Sequence, residues 1–221
     1  WGLLSNYNPE IIKSTELYRG ISPARYGNRA GGGVLDVITS GGNAENWRGN
    51  VNVDLATMNF AIDGPIDKAG RWTTSLGYRR SYLDLLLQSL SSDFNDVFIG
   101  NIHDFNFKLD FKESKNRHWS VWAYNGRDKY GLNFGDVITD SLGRTADVSF
   151  GWTWVWQNTL GGLSLSQKLG KDHFMNAQFG LSRYTYKNLL QSKSTFTSNN
   201  GIDNNEGFEH MKNSITDISL N

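Results

Sequence analysis

The chain of 221 residues carries 22 basic and 22 acidic side chains, so it has neither the basic excess of a nucleic-acid binder nor the acidic block of a disordered tail. With no cysteine, it is excluded from disulfide frameworks, thiolate metal sites and thiol nucleophiles. Only 38% of residues are apolar, yet there are eight Trp, nine Tyr and twelve Phe, and no stretch approaches the roughly 20 apolar residues of a membrane helix.

Residues 1–46 show no long two-faced strand, and their glycines cluster at Gly31, Gly32 and Gly33. Consecutive glycines permit positive φ and close backbone approach, as a compact domain packed inside a pore requires. A phosphate-binding loop is the poorer reading. The glycines lack a following Lys-Ser/Thr pair, and they lead into the strand-like run Val34-Leu35-Asp36-Val37-Ile38 rather than a helix.

From Trp47 onward apolar residues recur with a period close to two, and segments end at clusters of Gly, Asn, Asp and Lys. The pattern predicts strands at residues 47–55, 57–64, 71–82, 102–112, 118–126, 151–169, 173–187 and 208–220. Leu76 and Tyr78 alternate with Ser75, Gly77 and Arg79; Phe105, Phe107 and Leu109 alternate with Asn106, Lys108 and Asp110; Phe60 and Ile62 alternate with Asn59, Ala61 and Asp63. We therefore expect Phe60, Ile62, Leu76, Tyr78, Phe105, Phe107 and Leu109 to face lipid on a wall whose other face is polar. Arg80 is the one charge out of phase in its strand. Arg79 points inward in this register, and an inward charge is retained only when paired or solvated, so we expect it to meet a carboxylate of a neighbouring strand or of an enclosed plug. In residues 151–169 the Trp152, Trp154, Trp156 phase gives way to the Leu163, Leu165, Leu169 phase across Gly161-Gly162, which suggests a bulge.

The expected connections alternate between tight (67–70, 113–117, 170–172) and long (83–100, 127–150, 188–207). Short turns on one side and long loops on the other mark an outer-membrane barrel, the short side being periplasmic. On that orientation Trp47, Trp72, Trp119 and Trp122 fall near one water boundary, and Tyr82, Tyr124, Trp152, Tyr184, Tyr186 and Phe208 near the other, as two aromatic girdles. His103, His118, His173 and His210 have no metal-ligand spacing, Asp203-Asn204-Asn205-Glu206 lacks the order of a calcium loop, and no nucleophile, base and orienting acid stand together. We expect neither a metal, a cofactor nor catalysis.

The run Pro23-Ala24-Arg25-Tyr26-Gly27-Asn28-Arg29-Ala30-Gly31-Gly32-Gly33-Val34-Leu35-Asp36-Val37-Ile38-Thr39 resembles the end of the plug domain of TonB-dependent receptors, and Asn8-Pro9-Glu10-Ile11-Ile12-Lys13-Ser14-Thr15-Glu16-Leu17-Tyr18-Arg19-Gly20 looks like the preceding plug strand. Asp63-Gly64-Pro65-Ile66 and Tyr78-Arg79-Arg80-Ser81-Tyr82 are similar to the early barrel of such receptors from Bacteroidota-type bacteria. The resemblance covers about the first 85 residues. It implies that residues 1–46 end a plug domain, with Pro23, Ala24, Tyr26, Gly27, Gly31, Gly32 and Gly33 as its signature, and that residues 47–221 begin an antiparallel transmembrane barrel of about 22 strands. It also implies active import of a small nutrient such as a siderophore, glycan, peptide or cobalamin across the bacterial outer membrane. The implied partners are outer-membrane lipid, a TonB-type energy-coupling protein acting through plug sequence before Trp1, and a surface lipoprotein. Eight strands enclose an interior filled by their own side chains, so we expect the wall to continue beyond these residues. Two other readings stay open: a passive porin or adhesin barrel explains the part after Trp47, and a soluble all-β carbohydrate-binding module explains the aromatics.

Overall fold

The computed structural model describes residues 8–20, 23, 26, 32–90, 98–141, 144–198 and 201–220. Two antiparallel sheets form. Strands β1 (Ile12–Tyr18) and β2 (Val34–Thr39) pair as a small hairpin, preceded by a 3-10 turn at Pro9–Ile11. The large sheet has eight strands: β3 (Arg48–Val53), β4 (Thr57–Pro65), β5 (Trp72–Ser81), β6 (Phe98–Ser114), β7 (Arg117–Thr139), β8 (Thr145–Lys168), β9 (Phe174–Ser198) and β10 (Gly201–Leu220). Their spatial order is their chain order, an up-and-down meander, which is the topology of a barrel wall. β3 and β10 are its two edges, and among the described residues the sheet does not close on itself.

The burial of this sheet is inverted with respect to a water-soluble protein. Asn59, Thr73, Ser75, Arg79, Asp104, Asn106 and Asp110 are buried, while Phe105 is 44% exposed and Phe60, Trp72, Trp119 and Val121 are also exposed. The alternation produces this directly, because successive side chains of a strand point to opposite faces. Following the register from strand to strand puts the buried polar set on one continuous inner face. Val51, Phe60, Ile62, Leu76, Tyr78, Phe105, Phe107, Leu109, Val121, Leu163 and Leu181 share the outer one. A polar interior and an apolar exterior are what a wall needs when its outside meets hydrocarbon.

Three features depart from the sequence reading. The ladder of β7 and β8 continues to Thr139 and Thr145, and that of β9 and β10 to Ser198 and Gly201, so most of the expected loops 127–150 and 188–207 is paired strand. Above an apolar band both faces of a hairpin meet water, so alternation fades although backbone pairing does not. The expected bulge at Gly161-Gly162 is absent, since both glycines pair in unbroken register with β7 and with β9. The phase change reflects an apolar outer face low on β8 and an aromatic inner face high on it. A short helix α1 (Leu83–Leu90) follows β5, in a region expected to be loop, with the Leu86 N–H donating to the Tyr82 carbonyl. The strand-like run at residues 34–38 of the sequence reading is found in β2, which pairs with β1.

Candidate functional site

The inner face of β4–β6 is covered by the segment around the hairpin. Asn8 is fully buried; its side-chain amide donates to the carbonyls of Phe60 (3.0 Å) and Tyr78 (3.3 Å), and its carboxamide oxygen accepts from the Glu10 N–H (3.0 Å). One side chain thus caps the Pro9–Ile11 turn and holds it to two adjacent strands of the wall. Ile11, 3% exposed, lies over Gly77, where an added Cβ would sit 2.5 Å from the Ile11 methyl. Only glycine lets the segment come this close. Further along, the Glu10 carboxylate accepts from the Asn50 amide, Lys108 Nζ donates to the Thr39 carbonyl (3.4 Å), and the Asn43 N–H donates to Asp63 (3.1 Å), which also binds Arg48 through 3.0 and 3.2 Å contacts. A cavity of about 450 Å³ remains between β2 and the wall, lined by Leu35, Val37, Ser75, Asn106, Trp122 and Tyr124 among others.

Of the plug-signature residues, Ala24, Gly27 and Gly31 lie outside the described residues. Pro23 and Tyr26 form a turn, the Tyr26 N–H donating to the Pro23 carbonyl (3.0 Å), and the Tyr26 hydroxyl donates to Asp36 of β2. Tyr26 also packs on Tyr18 with ring centroids 5.5 Å apart. Gly33 has φ +137°, and a Cβ there would stand 2.7 Å from the Tyr18 carbonyl oxygen, so β2 begins where another residue would clash; Gly32 has open space around it.

Arg79 lies on the inner face, and its Nε donates to Asp104 on the adjacent strand β6 at 2.6 Å, with the two side chains 4% and 1% exposed. Asn106 donates to the other Asp104 oxygen at 3.0 Å. A desolvated charge pair with its remaining lone pairs satisfied is the form in which such a pair is tolerated. Phe60, Ile62, Leu76, Tyr78, Phe105, Phe107 and Leu109 occupy the face opposite to this pair.

The two girdles are not as expected. Trp72 and Trp119 are on the outer face, but Trp122, Tyr124, Trp152, Tyr184 and Tyr186 are on the inner one. High on β7–β9, Tyr130, Trp152, Trp154, Trp156 and Tyr186 form an aromatic row across the inner face. Tyr130 meets Trp156 edge-on at 5.7 Å, Trp156 meets Tyr186 at 5.7 Å, Trp152 packs on Trp154 at 4.1 Å, and the Trp152 indole N–H donates to Asn188. The signal for this row was in the sequence: three tryptophans at period two in a stretch whose alternate residues, Thr153, Val155 and Gln157, no longer form an apolar outer face. Trp152 is exposed and the other rings of the row are half-buried, so their open faces can stack on planar or sugar-like surfaces. Among the described residues no group of three or more His, Asp or Glu could hold a metal ion.

An open meander with a polar inner face, an apolar outer face and a short hairpin segment docked on the polar side is the wall of a β-barrel fragment. In comparison with known proteins, the ferrienterobactin receptor of Escherichia coli strain K12 is 50% identical over 69 residues, a stretch covering 26% of this chain and 9% of that receptor. The match therefore spans a small part of that receptor's length, and it supports the resemblance to the receptor family. No family model matches the chain. No solved structure matches it.

Proposed function

We propose that this chain is part of a TonB-dependent receptor of the bacterial outer membrane that imports a small nutrient. The observation that carries the reading is the docking of Asn8 and Ile11 on a buried polar inner face whose reverse side is exposed and apolar. A passive porin or adhesin barrel leaves the docked segment before Trp47 unexplained, and a soluble module does not bury its polar face and expose its apolar one. In this reading residues 8–46 end the plug, and the tight turns after β4, β6 and β8 face the periplasm. The tall β7–β10 hairpins stand outside the cell, and the aromatic row forms one side of the mouth above the plug. Energy coupling acts through plug sequence on the periplasmic side, and a surface lipoprotein is a further partner in reach of the tall hairpins.

The 69-residue match, 50% identical, to a ferrienterobactin receptor makes an iron chelate the first substrate class to test, ahead of glycans, peptides and cobalamin. The test is growth of a strain deleted for the full-length gene on single iron or carbon sources, together with uptake of labelled ferric siderophore and its dependence on the energy-coupling protein. Loss of one uptake activity, restored by the gene in trans, is expected. A full-length protein that fractionates into buffer without detergent would refute the reading.

A further inference from the structure

We propose that the inner face of the tall hairpins recognises an organic cation, so that the transported molecule presents an alkylammonium group to Asp128 and the ring of Trp156. The inference rests on the receptor reading above, in which the aromatic row forms one side of the mouth, and adds the charge of the substrate to it. It starts from how charge is divided between the two faces of β7–β10. Above the level of Arg79 and Asp104, the inner face of these strands holds Asp128, Asp136 and Glu209 and, among the described residues, no Lys, Arg or His. Arg127, Lys129, Lys187 and Lys212, at the height of the aromatic row, all occupy the opposite face. Solubility alone is served by mixing both signs on both faces, so the sorting asks for another cause.

Asp128 sits within the aromatic row. It is the direct ladder partner of Trp156, which pairs in turn with Tyr186, and Tyr130 is the next residue of β7 on the same face. The Tyr130 and Trp156 rings meet at 68° with centroids 5.7 Å apart, so they make two walls of a corner, and Tyr186, 5.7 Å from Trp156, extends it. Ring faces attract a cation held within about 6 Å of their centroid, Trp most strongly. The carboxylate supplies the counter-charge. Among the described residues Asp128 has no hydrogen bond or salt bridge. Arg79 lies within electrostatic reach of it, but the Arg79 Nε is held by Asp104 at 2.6 Å, so one cation and two carboxylates leave this group a net charge of −1. The Tyr130 hydroxyl is buried and, among the described residues, has no hydrogen-bond partner; an ammonium N–H entering the corner supplies one. A polyanionic chelate meets like charge on this surface, whereas an organic cation gains both the carboxylate and the rings. Among iron chelates the arrangement therefore favours one with a pendant ammonium group.

The experiment uses the full-length receptor in detergent micelles and saturation-transfer NMR, with the signal of empty micelles subtracted. Tetramethylammonium is the cationic probe and tert-butanol an uncharged probe of similar size. Tetramethylammonium is expected to bind about tenfold more tightly than tert-butanol, a difference of about 1.4 kcal/mol, the scale of a partly desolvated cation–π contact. The nearly isosteric variant D128N is expected to weaken tetramethylammonium roughly fivefold and to leave tert-butanol unchanged, while D128E, which keeps the charge, stays within about twofold of wild type. Heat-modifiable gel mobility shows whether each variant is a folded barrel; if D128N is not, the comparison of the two probes on the wild-type receptor decides alone. Equal affinities for the two probes, no binding of tetramethylammonium, or a folded D128N that binds it like wild type would overturn the cation site. Each of these outcomes leaves the receptor reading intact, because nutrient uptake is measured separately. A wild-type protein that needs no detergent would overturn both.

Discussion

At the scale of single residues, the wall is defined by which side of the backbone a charge can occupy. Phe107 stands on the outer face in the middle of the run Phe105 to Phe111. Replacing it by Lys is expected to cost roughly 2 to 4 kcal/mol, the penalty for a cation on the lipid face near mid-membrane. Its neighbour Asn106 does not provide a permissive control, because it is 7% exposed under the docked segment and donates to Asp104. Urea unfolding of full-length protein in lipid vesicles checks the magnitude, and a near-neutral Phe107→Lys would count against a lipid-facing wall. The Arg79–Asp104 pair gives a second test. Arg79→Met leaves the carboxylate of Asp104 buried without its cation, which is expected to cost about 3 to 5 kcal/mol, whereas adding Asp104→Leu recovers most of that loss. If the double variant is as unstable as the single one, the pair is not an isolated electrostatic unit. At the tight-turn end, the hydrogen bond from the Trp119 indole and the nearby Arg117 hold the Glu113 carboxyl below its ordinary value. A depressed folded pKa means that the contribution is present above the unfolded value and is lost as pH falls through the folded one. Acid unfolding of Glu113→Gln and wild type should therefore converge at low pH and differ at neutral pH.

At the scale of elements, the sequence was most informative where one face is apolar and exposed and the other is polar and packed. There the chemistry of alternate residues is forced apart, and β4, β5 and the lower part of β6 are legible from Phe60, Leu76, Phe105 and their polar partners alone. Arg79 was assigned a carboxylate partner on orientation only; which carboxylate required the β5–β6 register that places Asp104 opposite it. The same logic loses its grip higher up. The upper parts of β7, β8 and β9 are paired through Phe134, Phe150 and Ser192, yet both of their faces are open, so nothing forces alternation. Of the aromatic row, Trp152 and Tyr186 fit a girdle by sequence, because Trp and Tyr suit both a headgroup boundary and a binding surface; register alone separates the two. A functional test follows from the row's inward direction. Trp156→Ala removes the ring that bridges Tyr130 and Tyr186. It is expected to weaken binding of the transported substrate by roughly 10-fold or more, on the scale of 1 to 2 kcal/mol for a buried aromatic contact, while leaving membrane insertion intact. Equilibrium binding to whole cells measures the first quantity and heat-modifiable mobility the second; unchanged binding would remove the row from the substrate path.

At the scale of the whole molecule, the docked segment and the wall form two bodies joined through residues 40–47, and their contacts are of unequal kinds. The Arg48–Asp63 pair and the Asn43 contact lie at the point where the chain crosses into the wall. The Asn8 and Ile11 contacts lie farther back along the chain and hold the segment over β4 and β5 by two carbonyl hydrogen bonds and one methyl seated on a glycine, beside the Glu10–Asn50 contact. If transport requires the plug to move against the wall, the second set must break in each cycle while the first can persist. These 221 residues contain no cysteine, so within them a bond can be introduced at one place without competing thiols. Ile11 and Gly77 suit it: with an ideal Cβ on residue 77 standing 2.5 Å from the Ile11 Cγ2, the two Cβ atoms fall near the roughly 3.5 to 4.5 Å that a disulfide needs. Oxidised I11C/G77C receptor is expected to bind substrate at the cell surface and to import none of it, with import returning after reduction. The matched reduced protein and each single cysteine variant report any effect of the substitutions themselves. Full import through a receptor shown by gel shift to be cross-linked would mean that the Asn8–Ile11 turn stays on the wall throughout transport, and the moving part would have to be sought elsewhere in the plug.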